Sequence, residues 1–130
     1  MTPEPRRQGA VAERETQELW KLPDSLLEFV DSGDEEMIVE ILTLFQHDSA
    51  ERLRDLNVAL ANKDRDAIRK QAHTLKGAAL QVGAMALSSV CLQLEKHADR
   101  TPEPELLELV CRAWEYYERT CREMLQAYHT

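Results

Sequence analysis

The sequence predicts an all-α protein, folded as an antiparallel up-down-up-down four-helix bundle with an additional short N-terminal helix. Three observations predict this class. Apolar residues recur at spacings of three and four over long stretches, and no stretch shows the alternation that is typical of strands. Glycine (4) and proline (5) are few among 130 residues, of which 43% are hydrophobic, enough for one helical core. Short connections between the predicted helices favour antiparallel neighbours.

The N-terminal part of the chain is predicted to hold a tail and a short helix. Residues 1–9 contain two prolines and two arginines and are expected to form a flexible tail, which leaves a single domain over 10–130. Residues 10–21 are expected to form a helical turn or two. A short helix over 25–30 then stops at Gly33, because glycine favours helix ends.

The first long helix is predicted over residues 34–61. Ser32, followed three residues later by Glu35, predicts a capping box at its start, and the polar pair that begins at Asn62 ends it. The apolar residues that repeat along one face of this helix are Ile38, Ile41, Leu42, Phe45, Leu53, Leu56 and Leu60.

Three further segments complete the predicted bundle. Asp64 is expected to cap a helix that ends near Gly83, with this glycine as its C-terminal cap. A helix over 84–99 follows. Thr101 is expected to cap a last helix that runs to about residue 128, since the two prolines that follow it, at 102 and 104, are tolerated near a helix start. The expected inward-facing residues of these two helices are Leu87, Val90, Cys91, Leu94 and Ala98, then Leu106, Leu109, Val110, Ala113, Trp114, Tyr117, Cys121 and Leu125.

One histidine lies in an unusual local sequence, Ala-His-Thr-Leu-Lys-Gly-Ala-Ala, over residues 72–79. At 100° per residue, Lys76 lies about 60° to one side of His73 and Gly77 about 40° to the other. An apolar stripe of the same helix falls on roughly the opposite face, so His73 is predicted to face solvent; the stripe consists of Ile68, Ala72, Leu75, Ala79 and Val82. A glycine within a helix costs about 1 kcal/mol relative to alanine, so Gly77 indicates a surface kept flat for a docking partner.

The chemistry of this face suits phosphoryl transfer. A neutral imidazole offers a nitrogen lone pair near pH 7 without an activating base, and Lys76 supplies a cation one helical turn from His73. Arg69 and Lys70 lie on the same side, within about 60°. Between residues 61 and 82 the sequence has five lysines and arginines but only two aspartates, although the whole chain has a formal net charge of −8. This local excess of positive charge would attract an acidic partner.

Three other residues are candidates for the same site. Leu80 lies about 20° from His73 on the helical wheel and is expected at the surface, where it would belong to an apolar docking patch. In the predicted antiparallel hairpin, the residues opposite His73 fall near 92–96. Gln93 or Glu95 is therefore expected to form a hydrogen bond with the imidazole.

The stretch around His73 resembles the signature of the histidine-containing phosphotransfer (HPt) family. That signature is His-x-aliphatic-Lys-Gly followed by small residues, with a second glycine six residues after the first. In this sequence the second glycine is Gly83. The resemblance covers roughly residues 34–100. It implies that His73 accepts a phosphoryl group from an aspartate of one receiver domain and passes it to an aspartate of another. The implied partners are receiver domains of hybrid sensor kinases and of response regulators.

The resemblance also implies that the protein is a phosphoryl carrier and not an enzyme. We expect no cofactor and no metal of its own, with Mg²⁺ held by the partner receiver domain. A chain of 130 residues leaves no room for an ATP-binding kinase domain. We expect a cytoplasmic protein, because no signal peptide and no apolar run of about 18 residues is present. We also expect a monomer. The negative net charge argues against nucleic acid as a partner.

The remaining histidines and the cysteines are given structural interpretations. His47, His97 and His129 lack a neighbouring lysine and glycine and are expected to be ordinary surface residues with no metal-ligand spacing. The three cysteines, at 91, 111 and 121, are odd in number and lie at apolar positions, so they are expected to be reduced core thiols.

Two other functions stay open at the level of the sequence. The dimerisation domain of a sensor kinase also carries a histidine on a helical hairpin, but its motif has an acidic residue where Thr74 follows His73 here. A helical adapter or inhibitor could bind a receiver domain or another signalling protein without carrying phosphate. Acid-labile, base-stable phosphorylation at His73 would support the carrier.

Overall fold

Five helices follow one another along residues 18–130, the part of the chain that the structure, a computed structural model, describes. They are α1 (Asp24–Asp31), α2 (Glu35–Ala61), α3 (Arg65–Val82), α4 (Met85–His97) and α5 (Glu103–Tyr128). No strand occurs in this range, which confirms the all-α prediction. Helix α3 packs against both α2 and α4, and α5 closes the ring by packing against the same two helices. This arrangement is consistent with the predicted up-down-up-down order, and α1 packs on α2.

The core lies where the helical periodicity of α3 predicts it. All five residues of the predicted apolar stripe of α3 are buried, as are the large apolar residues of α2 and α4 that face them. The buried stripe of α3 consists of Ile68, Ala72, Leu75, Ala79 and Val82. Because one face of α3 is fully packed, the other face is free to carry the functional residues.

The start of α2 differs from the predicted capping box. Asp34 is the N-cap, and its carboxylate accepts a hydrogen bond from the Met37 backbone N–H at 3.2 Å. Ser32 instead lies at the end of α1, where its hydroxyl donates to the Phe29 carbonyl at 3.1 Å. The chain turns at Gly33 with a φ of 81°, so helical geometry begins too late for Ser32 to act as the cap.

The predicted cap of α5 is also wrong. The Thr101 hydroxyl donates to the His97 carbonyl at 2.7 Å and so closes the end of α4, while α5 begins after Pro102 without a side-chain cap. The loop between these helices is held by Arg65 at the start of α3. Its guanidinium donates to the carbonyls of Ala98, at 2.7 Å, and Thr101, at 2.5 Å.

The inward face of α5 departs from the predicted stripe in its second half. Leu125 is 49% exposed, whereas Thr120 and Met124 are fully buried. Along α5 the inward-facing positions are separated by three and four residues in alternation, so Thr120 and Met124 follow Tyr117. The predicted stripe instead took two successive steps of four from Tyr117, to Cys121 and Leu125. Thr120 tolerates burial because its hydroxyl donates to the Tyr116 carbonyl, one turn earlier, at 2.7 Å.

The cysteines are free but do not share one environment. Cys91 is buried in the core, as predicted, and this burial raises the pKa of its thiol to about 12. Cys121 is half-buried, and Cys111 is exposed, so the core prediction is wrong for Cys111. Val110 faces the core, and the next residue along the helix, Cys111, therefore points away from the core.

A non-helical arm over residues 18–21 precedes α1. Of the helical turn predicted over 10–21, residues 10–17 lie outside the described residues, as does the predicted tail over 1–9, and residues 18–21 are not helical. The arm crosses the turn between α3 and α4, where the Lys21 N–H donates to the Gly83 carbonyl at 3.0 Å. The Trp20 indole donates to the Val82 carbonyl at 2.9 Å and packs edge-on against Tyr128.

Gly83 ends α3 in the predicted way, with a left-handed φ of 80°. The structure adds a second reason for glycine at this position. A Cβ there would lie 1.8 Å from the Lys21 carbonyl oxygen, far inside van der Waals contact. The arm therefore approaches α3 as closely as it does because position 83 has no side chain.

None of the helices within residues 18–130 has the length and apolar character needed to cross a membrane.

Candidate functional site

His73 lies in the middle of α3, on the face that turns away from the core. Its side chain is 65% exposed, which agrees with the orientation predicted from the helical wheel. The two ring nitrogens are not equivalent. Nδ1 lies 2.6 Å from Oε2 of Glu95 on α4, while Nε2 has no hydrogen-bond partner among residues 18–130.

Glu95 connects His73 with Lys76. Its second carboxylate oxygen, Oε1, lies 2.7 Å from Nζ of Lys76. The Glu95 and Lys76 side chains are each 23% exposed, so this ion pair is more shielded from solvent than the imidazole above it. One carboxylate thus holds the imidazole with one oxygen and the ammonium group with the other.

The pKa of Glu95 is held below its usual value, mainly by the hydrogen bond from Lys76 and further by His73, although partial burial acts in the opposite direction. Glu95 is therefore ionised at neutral pH. An ionised carboxylate can only accept hydrogen bonds, so Nδ1 must carry the proton that lies between the two groups. In a neutral imidazole the lone pair is then on Nε2, the nitrogen without a hydrogen-bond partner in the described part of the chain.

The surface beside the imidazole is open. A Cβ added at Gly77 would meet nothing within 4 Å, so packing does not require glycine there. Leu80, one turn further along α3, is 49% exposed, as predicted. A groove between α2 and α3 continues this surface, with Leu44 at its edge 69% exposed. The remaining residues of the groove are Ile41, Phe45, Asp48, Ala78, Gln81 and Val82.

Arg69 and Lys70 lie on the same helix but form no hydrogen bond or ion pair with His73 in the described part of the chain. Both form ion pairs with Asp66, one turn earlier, and the Lys70 Nζ to Asp66 Oδ2 distance is 3.1 Å. The hydrogen bond from Arg69, and then that from Lys70, lowers the pKa of the Asp66 carboxyl group. These side chains are half exposed or more, so the pairs are weak and the cations remain available to an approaching surface.

The structure decides between the two candidates on α4. Glu95 holds the imidazole, whereas Gln93 is exposed and forms no hydrogen bond with His73 in the described part of the chain. The sequence did not reveal that Lys76 shares the carboxylate of Glu95. Lys76 and Glu95 are 19 residues apart on two different helices. Their contact depends on how the two helix faces turn toward each other, which the periodicity within one helix does not record.

The other histidines, His47, His97 and His129, are exposed. Within residues 18–130, no three histidine, cysteine, aspartate or glutamate side chains are grouped so that they could hold a metal ion.

The fold and the site together define a four-helix bundle that presents a solvent-facing histidine, held by a carboxylate that is itself paired with a lysine. The Hpt domain family model matches residues 40–130, and the chain belongs to this family. It is therefore a phosphotransfer protein of the phosphorelay type, and the resemblance noted in the sequence is confirmed.

Two solved structures resemble the chain. The crystal structure of histidine-containing phosphotransfer protein B (HptB) from Pseudomonas aeruginosa PAO1 aligns with a TM-score of 0.72 and 30% identity, over 83% of this chain and 94% of that one. The HPT domain from the Hpt sensor hybrid histidine kinase from Shewanella aligns with a TM-score of 0.59 and 22% identity, over 84% and 97%, and supports the fold. A search of curated proteins finds no match.

Proposed function

We propose that His73 accepts a phosphoryl group from a phosphoaspartate of one receiver domain and passes it to the receiver aspartate of a response regulator. The observation that carries this proposal is the orientation of the imidazole. Glu95 occupies Nδ1 at 2.6 Å, and the exposed ring leaves Nε2 toward solvent with its lone pair. A partner that docks over α3 can therefore bring its phosphorus in line with Nε2.

The transfer requires no reacting group from any other residue of this chain. Nε2 attacks the phosphorus, an Nε2–P bond forms, and the bond from phosphorus to the aspartyl oxygen breaks, so that the aspartate leaves as a carboxylate. The onward step reverses these events with the second receiver. Mg²⁺ held by the receiver would neutralise the phosphoryl oxygens, and the chain needs no cofactor of its own.

The neighbours of His73 would support this reaction in separate ways. Lys76, on the same face as His73, would stabilise the charge on the phosphoryl oxygens. Gly77 and Leu80 would form the flat, partly apolar surface on which the receiver docks. Arg69 and Lys70 would attract the acidic rim of the receiver.

Labelling by a phosphorylated receiver domain tests the proposal. A panel of receivers is phosphorylated and mixed with the protein, with His73→Gln, and with His97→Gln as the matched control, since His97 is an exposed histidine outside the site. We expect acid-labile, base-stable label on the native chain and on His97→Gln, and none on His73→Gln, whose helical circular dichroism should be unchanged. Label that persists on His73→Gln would show that another residue accepts the phosphoryl group.

The same experiment separates a carrier from an adapter. Receiver binding without any label on the native chain would favour a helical adapter or inhibitor that carries no phosphate. The cytoplasmic location and the monomeric state stay predictions, for which cell fractionation and sedimentation are the direct measurements.

A further inference from the structure

We propose that Glu95 is a positioning residue that keeps the proton on Nδ1 of His73 after phosphorylation, so that the phosphohistidine remains competent to pass its phosphoryl group on. The inference rests on the proposed function of His73. It adds that the carboxylate acts on the second half of the transfer, when the phosphoryl group leaves the protein, and not only on the orientation of the free imidazole.

The chemistry of the leaving group is the reason that this proton matters. When Nε2 attacks the phosphorus, the ring gives up its lone pair and, with Nδ1–H retained, carries a positive charge. When the next aspartate attacks, the P–Nε2 bond breaks and the electron pair returns to Nε2, which regenerates a neutral imidazole. If Nδ1 had lost its proton, the same step would have to expel an imidazolate anion, which is a far poorer leaving group.

The geometry at Nδ1 favours the protonated form. A full negative charge 2.6 Å from a ring nitrogen stabilises a cationic ring and strengthens the hydrogen bond that holds the proton. Glu95 is less than a quarter exposed, so water screens this interaction less than it would at an open surface. The interaction is therefore stronger in the phosphorylated ring, which is cationic, than in the free ring, which is neutral.

The surrounding charges do not cancel this effect. From α3, Lys76 pairs with the other oxygen of Glu95, and Arg69 and Lys70 are paired with Asp66. From α4, the buried thiol of Cys91 is neutral because burial raises its pKa to about 12. In the described part of the chain, α2 and α5 place no charged group in ion-pair contact with His73 or Glu95. A phosphoryl group on Nε2 would attract Lys76, which would leave the carboxylate freer to hold Nδ1–H.

The pH dependence of onward transfer tests this role. His73 is phosphorylated with phosphoramidate, which requires no receiver, and the rate of transfer to an unphosphorylated receiver is followed from pH 6 to pH 9. For Glu95→Gln, which keeps an acceptor oxygen but loses the charge, we expect the decline in rate to begin about 1 pH unit lower than in the native protein. The rate at the acid end of the range should stay within about threefold of the native rate, because the ring there is protonated in both proteins.

Two further variants separate charge from structure. Glu95→Ala should show the same shift and also a lower rate at every pH, because the ring loses its support. Glu108→Gln, an exposed glutamate on α5, should behave like the native protein. If Glu95→Gln lowers the transfer rate by the same factor at all pH values and the midpoint of the decline with pH is unchanged, Glu95 only orients the ring and the proposal is wrong.

Nitrogen NMR of the phosphorylated protein makes the result independent of any receiver. The ¹⁵N shifts of the His73 ring report directly the pH at which Nδ1 loses its proton, and this pH should be lower by about 1 unit in Glu95→Gln. Equal values in the two proteins would overturn the proposal even if transfer is efficient. If no receiver exchanges phosphate with the native chain, the proposed relay function fails, while the titration still decides the role of Glu95.

Discussion

Gly77 and Gly83 lie on and at the end of the same helix, six residues apart, yet they are glycines for opposite reasons. Gly77 has a helical backbone and open space where its side chain would be. Gly83 has a left-handed φ of 80° and a carbonyl oxygen 1.8 Å from the position of a Cβ. One glycine leaves open space beside His73, where we propose that a receiver docks, and the other lets the chain pack on itself. On this proposal, a single sequence motif combines a constraint on binding with a constraint on folding.

The strongest test of this contrast is Gly83→Ala. A side chain at a left-handed position costs roughly 1–2 kcal/mol, and the clash with the Lys21 backbone adds to it, so we expect about 3–5 kcal/mol of destabilisation. Urea denaturation followed by circular dichroism measures this loss. The arm from Leu19 to Lys21 should detach, which fluorescence of Trp20 would report.

Gly33→Ala is the matched control for that variant. Gly33 has a similar φ of 81°, but a Cβ there would meet nothing within 4 Å. It should lose only the conformational part, about 1–2 kcal/mol. Equal losses at the two glycines would show that the arm does not press on position 83, and that the contrast drawn with Gly77 concerns backbone conformation alone.

The difference between these glycines also shows where sequence reasoning succeeds. The wheel around His73 needs only the 100° rotation per residue, so the exposure of His73 and Leu80 could be predicted. Gly83 was predicted as a helix end, but not as the contact of an arm 62 residues earlier. That approach depends on tertiary packing, which local patterns do not contain.

The same reason explains the predicted caps that were wrong. Ser32 and Thr101 are suitable capping residues by type, but each hydroxyl is used to close the preceding helix. Which helix a hydroxyl serves depends on where the backbone leaves helical geometry, and the N-cap lies two residues later than predicted at α2 and one residue later at α5. Glu95 was one of two candidates within residues 92–96, because antiparallel pairing fixes which residues lie opposite His73 but not which side chain contacts it.

Lys76→Ala should have the next largest effect, on transfer and not on folding. Removing one partly shielded cation is expected to slow phosphoryl transfer by about 5- to 30-fold, which corresponds to roughly 1–2 kcal/mol. Rapid-quench measurement of transfer from a phosphorylated receiver gives the rate. Arg119→Ala is the control, because Arg119 is an exposed cation on α5 that pairs with Glu115 outside the site, and it should change the rate by less than about twofold. Equal rates for native protein and Lys76→Ala would show that Lys76 serves only to hold Glu95.

The smallest expected change in stability, and the sharpest contrast with Gly83, belongs to Gly77. Glutamine has a higher helix propensity than glycine, and a Cβ at this position meets nothing within 4 Å, so Gly77→Gln should leave stability unchanged or raise it by up to about 1 kcal/mol. Its side chain would nevertheless project beside the imidazole into the space that a receiver must enter. We expect receiver binding to weaken by about 5- to 30-fold, the equivalent of roughly 1–2 kcal/mol of overpacking at the interface.

Gly77→Ala separates propensity from obstruction. It should gain at least as much helix propensity while adding only a methyl group. Its binding to a phosphorylated receiver, measured by calorimetry beside that of Gly77→Gln, should therefore stay closer to the native value. A stable Gly77→Gln that binds receivers as well as the native protein would mean that the partner approaches His73 from another side. Loss of folding in either variant would contradict the open space at Gly77 and remove the distinction from Gly83.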